Sequence, residues 1–218
     1  MNKASSQIIE DKRSIMITGK PDWWDSAVVF LLRDEVLGPV VEKYESEHLT
    51  GKGDIFATFV RSVVGQQISV IAADSIWNRL SELVGDMTPE NVCKFSPEEL
   101  ATSGITRPKS QYIHGIASNS IDFLSADWDK LSDIEINKHL TKFRGIGPWT
   151  SEMIMIFALL RPDIFSIGDI GLIKGVQLLV PEAVSKEDVL EISKRWAPYR
   201  TAASWYLWRM LDPVPVEY

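Results

Sequence analysis

The chain has 218 residues, of which 45% are hydrophobic and 24% charged, the composition of a folded protein with a substantial core. Its formal net charge of −7 argues against a protein that binds nucleic acid mainly through a basic surface. The charge still allows a local nucleic-acid site built from backbone N–H groups and a few cations.

Neither a membrane-spanning helix nor a secretory signal is visible in the sequence. The apolar runs are far shorter than the roughly 20 residues that a membrane span needs, and the first residues lack an apolar signal region. We therefore expect no membrane partner and a cytoplasmic protein, which would be associated with the nucleoid in a bacterium or nuclear in a eukaryote.

The N-terminal residues 1–20 are polar and are predicted to be a flexible segment, with one short extended piece at Ser14–Thr18. Residues 21–218 are predicted to form an all-α domain. Trp23 and Trp24 are expected to hold its first helix to the core. No other run of alternating apolar and polar residues competes with the helical spacing.

Helix-start signals recur along the rest of the chain. Thr88, Ser96, Ser132 and Ser185 each stand where an N-cap is expected and are followed by proline or by an acidic residue. Between these signals, apolar residues recur at helical spacing. The pattern predicts roughly ten helices.

We expect the helices to form two lobes with a cleft between them. The first lobe is predicted at about residues 55–130, and the second at about 21–54 together with 131–218.

The cysteine and histidine content gives no transition-metal site. Cys93 is the single cysteine, so it cannot form a disulfide within the chain or hold an iron–sulfur cluster. His48, His114 and His139 are too scattered to show ligand spacing. We expect Cys93 to be a packing residue.

The segment Phe143–Met153, which reads FRGIGPWTSEM, joins two predicted helices. The first is predicted over Glu135–Phe143 and the second begins near Pro148. A plain helix connection needs one glycine at most, so two glycines around an isoleucine require an explanation.

Gly145 and Gly147 permit positive φ and a close approach of another backbone, and Ile146 between them would anchor the turn in the core. The N–H groups near both glycines would then point outward and form a site suited to phosphate. Thr150 would add a hydroxyl. A tight turn without a ligand is the alternative.

Asp169 lies 22 residues beyond Gly147, follows a glycine and opens another apolar helical pattern. A helix start favours a negatively charged side chain. The alternative to a functional role is a plain N-cap.

Together these segments resemble the helix–hairpin–helix (HhH-GPD) DNA glycosylase superfamily, and within it the 3-methyladenine DNA glycosylase II branch. The resemblance is carried by LTKFRGIGPWT (140–150) and DIFSIGDIGLIK (163–174), with VGQQIS (64–69), GITRPKSQY (104–112), RWAPYR (195–200) and WYLW (205–208) in agreement. It covers about residues 25–211. It implies a two-lobed helical fold without the N-terminal β-domain of some relatives.

The resemblance places the catalytic aspartate at Asp169 and the base pocket at Trp149, Trp208 and Met153. Bifunctional members carry a lysine at the position of Trp149, and that lysine forms a Schiff base with the sugar. A tryptophan has no amine, so the resemblance implies a monofunctional enzyme. Met153 replaces an aromatic residue of some relatives, which leaves the range of bases open.

The DNA contacts implied by the resemblance fall on Gln67 and on the hairpin residues Gly145, Ile146, Gly147 and Thr150. Gln67 matches the wedge that fills the gap left by a flipped base, and a solvated glutamine at a helix start is the alternative. The hairpin would hold the strand by phosphate contacts.

Neighbouring residues extend this expected interface. Ile68, beside the wedge, is predicted to face inward. Arg107, Lys109 and Lys174 are candidate phosphate partners, with solvated surface cations as the alternative.

In relatives, hairpin carbonyls coordinate a monovalent cation. The resemblance would place Na⁺ or K⁺ at the carbonyls of Thr141, Phe143 and Ile146. No other cofactor is expected.

The implied function is a monomeric, monofunctional DNA glycosylase of base excision repair. It would hydrolyse the N-glycosidic bond of alkylated purines, such as 3-methyladenine and 7-methylguanine, in double-stranded DNA. A non-catalytic helix–hairpin–helix DNA-binding module and a bifunctional glycosylase/AP lyase are the alternatives.

Overall fold

The computed structural model describes residues 18–212. Within that range the chain forms thirteen α-helices, one 3₁₀ turn and two strands of two residues, which confirms the all-α prediction. Of the predicted flexible segment, residues 1–17 lie outside the described residues. Of the predicted extended piece, only Thr18 is described, and it belongs to a strand.

The elements are numbered in chain order. The strands are β1 (Thr18–Gly19) and β2 (Gly51–Lys52), which pair antiparallel. The helices are α1 (Trp24–Leu31), α2 (Gly38–Lys43), α3 (Ile55–Gly65), α4 (Val70–Val84), α5 (Pro89–Val92), α6 (Pro97–Ala101), α7 (Arg107–Ser118), α8 (Ser120–Leu124), α9 (Asp133–Leu140), α10 (Pro148–Phe157), α11 (Ile170–Leu179), α12 (Lys186–Ser193) and α13 (Arg200–Leu211), with a 3₁₀ turn at Lys194–Trp196. None of these helices is both long and apolar enough to cross a bilayer.

The described chain divides into two compact units. The first comprises residues 53–154, and the second comprises 18–52 together with 155–212. The sequence predicted a first lobe of about residues 55–130. The first unit extends further, because Phe143 after α9 packs edge-on against Phe123 of α8, with 5.2 Å between ring centroids.

The four predicted helix starts are confirmed. Ser96, Ser132 and Ser185 each form a capping box with the acidic residue three positions later. The Thr88 hydroxyl accepts a hydrogen bond of 3.2 Å from the N–H of Asn91. Short polar side chains therefore define these helix starts locally, as the sequence indicated.

Each unit has its own core. In the first unit, the apolar side chains of α3 are buried, including Phe56, Phe59 and Val63. In the second, Trp24 is buried, and the Trp23 indole N–H donates to the carbonyl of Leu160 across 2.8 Å. The prediction that this pair holds the first helix is confirmed.

Cys93 differs from its prediction. Its side chain is exposed, with Sγ 3.7 Å from the hydroxyl of Ser118, because Cys93 follows the last residue of α5 as its C-cap and is not part of the buried face of that helix.

Candidate active site

Asp169 is the N-cap of α11, and two N–H groups bind the same carboxylate oxygen. Its Oδ1 accepts the backbone N–H of Leu172 at 2.9 Å and the indole N–H of Trp208 at 3.1 Å. The side chain is half-buried. The N-cap alternative therefore describes its local structure correctly, and the second donor fixes the orientation of the carboxylate beyond what capping requires.

Trp208 on α13 is the second donor to this carboxylate. Its ring is 7% exposed and stacks on Phe157, with 5.7 Å between centroids and 23° between planes. A Cβ added to Gly171 would lie 3.0 Å from Asp169 Oδ1 and 3.3 Å from Trp208 Cδ1. The small residue at 171 thus leaves room for the indole to reach the carboxylate, an orienting contact that the sequence analysis did not predict.

A bidentate ion pair anchors the loop that leads to Asp169. Arg200, the first residue of α13, places Nε 2.7 Å from Asp163 Oδ1 and Nη2 2.9 Å from Oδ2. This paired geometry fixes both groups in one plane. Both residues lie in segments that carry the family resemblance, but the sequence alone assigned them no role.

Two hydroxyls on α13 bind the backbone of the same loop. Thr201 Oγ1 donates to the carbonyl of Arg161 at 2.5 Å and accepts the N–H of Ile164 at 3.0 Å. The Ser204 hydroxyl shares its hydrogen between the carbonyl of Arg200 at 2.9 Å and the carbonyl of Ile164 at 3.3 Å. Thr201, Ser204 and Trp208 are spaced by three and four residues, so one face of α13 holds both the loop and the carboxylate.

The hairpin between α9 and α10 requires only one of its two glycines. Gly145 has φ +97°, and a Cβ there would lie 2.5 Å from Cγ of Tyr112. Ile146 is 5% exposed, which confirms that it anchors the turn. Gly147 does not adopt a positive φ, and a Cβ would meet nothing within 4 Å. Gly147 therefore uses neither the positive φ nor the close approach that a glycine permits.

The side chains that follow the hairpin face different environments. Trp149 is half-buried, and Met153, one helical turn later, is 1% exposed. Thr150 is also 1% exposed, and its hydroxyl accepts the side-chain N–H of Gln66 at 2.9 Å. The Thr150 hydroxyl is therefore buried and bound within the protein, and its contact with a phosphate stays a prediction.

Gln67 lies in the turn between α3 and α4 and is exposed. Its φ is +59°, in the left-handed region, which costs a residue with a Cβ roughly 1–2 kcal/mol. Ser69 is the N-cap of α4, so Gln67 lies two residues before that helix begins, and both the wedge role and the alternative of a solvated glutamine stay predictions. Ile68 is 39% exposed, and its predicted inward orientation was wrong because the chain leaves the helix at Gln66.

The three candidate phosphate partners are arranged differently from one another. Lys109 was wrongly assigned, because its ammonium donates to the carbonyls of Val64 and Gln66 at 3.0 and 2.8 Å. Arg107 is exposed and pairs with Glu98 at 3.1 Å. Lys174 is exposed in the first half of α11.

The predicted cation site stays a prediction. The carbonyl of Phe143 accepts the N–H of Ile146 at 3.1 Å and keeps one lone pair for a cation. A Na⁺ or K⁺ ion at the carbonyls of Thr141, Phe143 and Ile146 is compatible with that arrangement. The described residues contain no cluster of three His, Cys, Asp or Glu side chains suited to a metal ion.

Known proteins resemble the chain over most of its length. Residues 60–198 match the HhH-GPD superfamily of base excision DNA repair proteins. A DNA-3-methyladenine glycosylase of Bacillus subtilis is 31% identical over 194 residues, which are 82% of this chain and 64% of that protein, so the chain spans just under two thirds of that relative. DNA-3-methyladenine glycosylase 1 of Schizosaccharomyces pombe is 32% identical over 178 residues, 78% of each chain.

The same similarity holds in three dimensions. The solved structure of the S. pombe 3-methyladenine DNA glycosylase Mag1 in complex with abasic DNA superposes with a TM-score of 0.75. The identity is 31%, and the alignment covers 84% of this chain and 95% of that one.

Proposed function

The chain belongs to the HhH-GPD superfamily of base excision DNA repair proteins, and from that premise we propose that it is a monofunctional DNA glycosylase for alkylated purines in double-stranded DNA. One observation carries the proposal: the carboxylate of Asp169 is held by the N–H groups of Leu172 and Trp208. A DNA-binding scaffold needs no oriented carboxylate. The similarity to 3-methyladenine glycosylases supports alkylated purines as the substrate class.

Asp169 is suited to hydrolysis of an N-glycosidic bond. As the bond between C1′ and the base nitrogen breaks, the base takes the electron pair and positive charge develops on the sugar. An ionised carboxylate beside the sugar stabilises that charge and orients the water that adds to C1′. Alkylation at N3 or N7 makes a purine cationic, so the base already leaves readily.

The base pocket is proposed from Trp149, Met153 and Trp208. A cationic purine is attracted to an aromatic face by about 0.5–2 kcal/mol for each contact. Trp208 already binds Asp169 through its edge, so any contact with the base uses a part of the ring other than its N–H.

The target nucleotide must be flipped out of the duplex before its base can be released. Flipping costs a few kcal/mol, and a side chain that fills the gap offsets part of that cost. We assign the wedge to Gln67, which is exposed at the tip of its turn. We assign the phosphate contacts to backbone N–H groups of the hairpin, including those of Gly145 and Gly147.

Release of 3-methyladenine and 7-methylguanine from methylated duplex DNA tests the function. Asp169→Asn keeps an N-cap but lacks the charge, so it should abolish release while leaving binding to an abasic duplex intact. Asp54→Asn is a matched control, because Asp54 is also an N-cap aspartate, bonded to the N–H of Ala57 at 2.9 Å. Full activity of Asp169→Asn would overturn the assignment.

The monofunctional mechanism, inferred from the tryptophan in place of a lysine at position 149, has its own test. Treatment with borohydride during the reaction should trap no covalent complex with DNA. A trapped complex would identify a bifunctional lyase.

A further inference from the structure

Two side chains of the first unit, Lys109 and Gln66, connect the turn of Gln67 to the hairpin. We propose that they are positioning residues. They hold the turn that carries Gln67 at a fixed distance from the hairpin that binds the DNA backbone, and they thereby enable base flipping. The proposal rests on the proposed function above, since it takes Gln67 as the wedge and the hairpin as the phosphate site.

Lys109 fixes the end of α3. It lies in the first turn of α7, and its Nζ donates to the carbonyls of Val64 and Gln66 at 3.0 and 2.8 Å. The last carbonyls of a helix lack partners within the helix, and a cation near them is favourable. The ammonium is half-buried, and burial lowers the pKa of Lys109. A cation kept away from solvent in this way has its hydrogen bonds committed to the turn.

Gln66 connects the same turn to the hairpin. Its Nε2 donates to the carbonyl of Gly145 at 3.2 Å and to the hydroxyl of Thr150 at 2.9 Å. These partners are 79 and 84 residues away in the chain; the first lies in the hairpin turn and the second in the first turn of α10. One amide group thus binds both the turn and the helix that follows it, while the carbonyl of the same residue is bound by Lys109.

Gln67 follows directly and adopts a left-handed φ of +59°. A side chain rarely takes that conformation unless the surrounding structure enforces it. With Gln66 held on its backbone and its side chain, the turn keeps Gln67 exposed at a fixed distance from the hairpin. A wedge that enters a base stack must resist displacement, so a loose turn would lose flipping efficiency even though Gln67 is still present.

The experiment compares two substrates that differ only in the need for flipping. The first is a duplex with one 7-methylguanine opposite cytosine, and the second carries the same lesion in an unpaired bubble. Lys109→Met and Gln66→Glu should slow single-turnover release from the paired duplex by at least tenfold and from the bubble by less than threefold. Lys130→Met, at an exposed lysine paired with Asp127, should leave both rates unchanged. Equal loss on both substrates, or no loss, would overturn the proposal.

Chemical rescue separates the ammonium from general packing. Lys109→Cys in a Cys93→Ser background contains one cysteine, since Cys93 is the only native one. Alkylation with 2-bromoethylamine rebuilds an ammonium of nearly the same length. Release from the paired duplex should recover to within about threefold of the Cys93→Ser parent. If the rate did not recover in a protein that is modified and folded, the ammonium at position 109 would not be the group that positions the turn, and the proposal would be overturned.

Hydrogen exchange of the free protein tests the connection without any reaction. Gln66→Glu should speed amide exchange both in the turn, residues 65–69, and in the hairpin, residues 144–150. Unchanged exchange in the hairpin would overturn the proposal whatever the activity. If the wild type releases no base from any lesion while exchange rises in both segments, the proposed function fails and the structural connection stands.

Discussion

The indole N–H of Trp208 donates to the carboxylate of Asp169 across 3.1 Å, between residues 39 positions apart. The family resemblance implied one residue for catalysis and the other for the base pocket. In the structure they form one group, in which α13 orients the carboxylate at the start of α11. Trp208 is therefore a positioning residue for Asp169, whatever contact it makes with a base.

Trp208→Phe should lower the rate of base release while leaving DNA affinity nearly unchanged. The substitution keeps a ring against Phe157 but removes the donor to Asp169. A hydrogen bond to a charged group contributes about 1.5–3 kcal/mol, so a loss of ten- to a hundredfold in the single-turnover rate is expected. Affinity is measured on an abasic duplex.

Trp128→Phe is the matched control for this prediction. Trp128 is buried to nearly the same extent, at 8% exposed, and its indole N–H makes no hydrogen bond within the described residues. Trp128→Phe should therefore change the single-turnover rate of base release only slightly. If Trp208→Phe instead weakened binding of lesion DNA at an unchanged rate, a pocket role alone would account for Trp208.

The two hairpin glycines should respond oppositely to alanine. Gly145→Ala should destabilise the protein by roughly 2 kcal/mol or more and impair DNA binding, because a Cβ meets both an unfavourable φ and the ring of Tyr112. Gly147→Ala should leave the free energy of unfolding within about 0.5 kcal/mol of the wild type. Denaturant unfolding and DNA titrations measure both effects.

A second substitution separates the two costs at Gly145. Gly145→Ala combined with Tyr112→Ala removes the steric contact but not the φ penalty. The double variant should lose less free energy of unfolding than the sum of the losses measured for Gly145→Ala and Tyr112→Ala alone. Strict additivity would mean that the ring of Tyr112 does not limit this position.

The loop before Asp169 should depend on one hydroxyl. Thr201→Val preserves shape but removes the two hydrogen bonds of the Thr201 hydroxyl, with the N–H of Ile164 and with the carbonyl of Arg161, at an expected cost of about 1–3 kcal/mol. Base release should slow as well, since the loop carries Asp169. Thr102→Val removes one exposed hydrogen bond, to the carbonyl of Glu99, and should cost less than about 0.5 kcal/mol. Equal stability of the two variants would contradict this account of the loop.

Local rules predicted the helix starts correctly, because an N-cap such as Ser96 or Ser132 is decided by residues within one helical turn. Asp169 was likewise placed correctly at the start of a helix. The resemblance located the hairpin for a related reason, since its short motif is continuous in sequence.

The errors share a different physical origin. Lys109 looked like a surface cation, and nothing in the sequence indicated a partner for the Thr150 hydroxyl, yet both bind Gln66, which is far away in sequence. Contacts of this kind are decided by how α3, α7 and α10 pack, which periodicity does not specify. Ile68 was misplaced because the sequence does not show that α3 ends at Gly65 rather than continuing.

The hydroxyl of Tyr206 gives a prediction that is independent of activity. The residue is fully buried, and its hydroxyl meets no partner at good hydrogen-bond geometry among the described residues, although the indole N–H of Trp24 faces it. A buried polar group without a partner is unfavourable, so Tyr206→Phe should raise the free energy of unfolding at pH 7 by about 1 kcal/mol.

The pH dependence of stability distinguishes this variant further. Burial raises the pKa of Tyr206 from its ordinary 10.0 to about 12. Above pH 10 the unfolded chain releases this proton while the folded chain keeps it until about pH 12, so the wild type loses stability across that window. Tyr206→Phe lacks this loss, and its advantage over the wild type should grow between pH 10 and pH 12. A constant difference between Tyr206→Phe and the wild type from pH 7 to 12 would show that the phenol is not shielded from solvent.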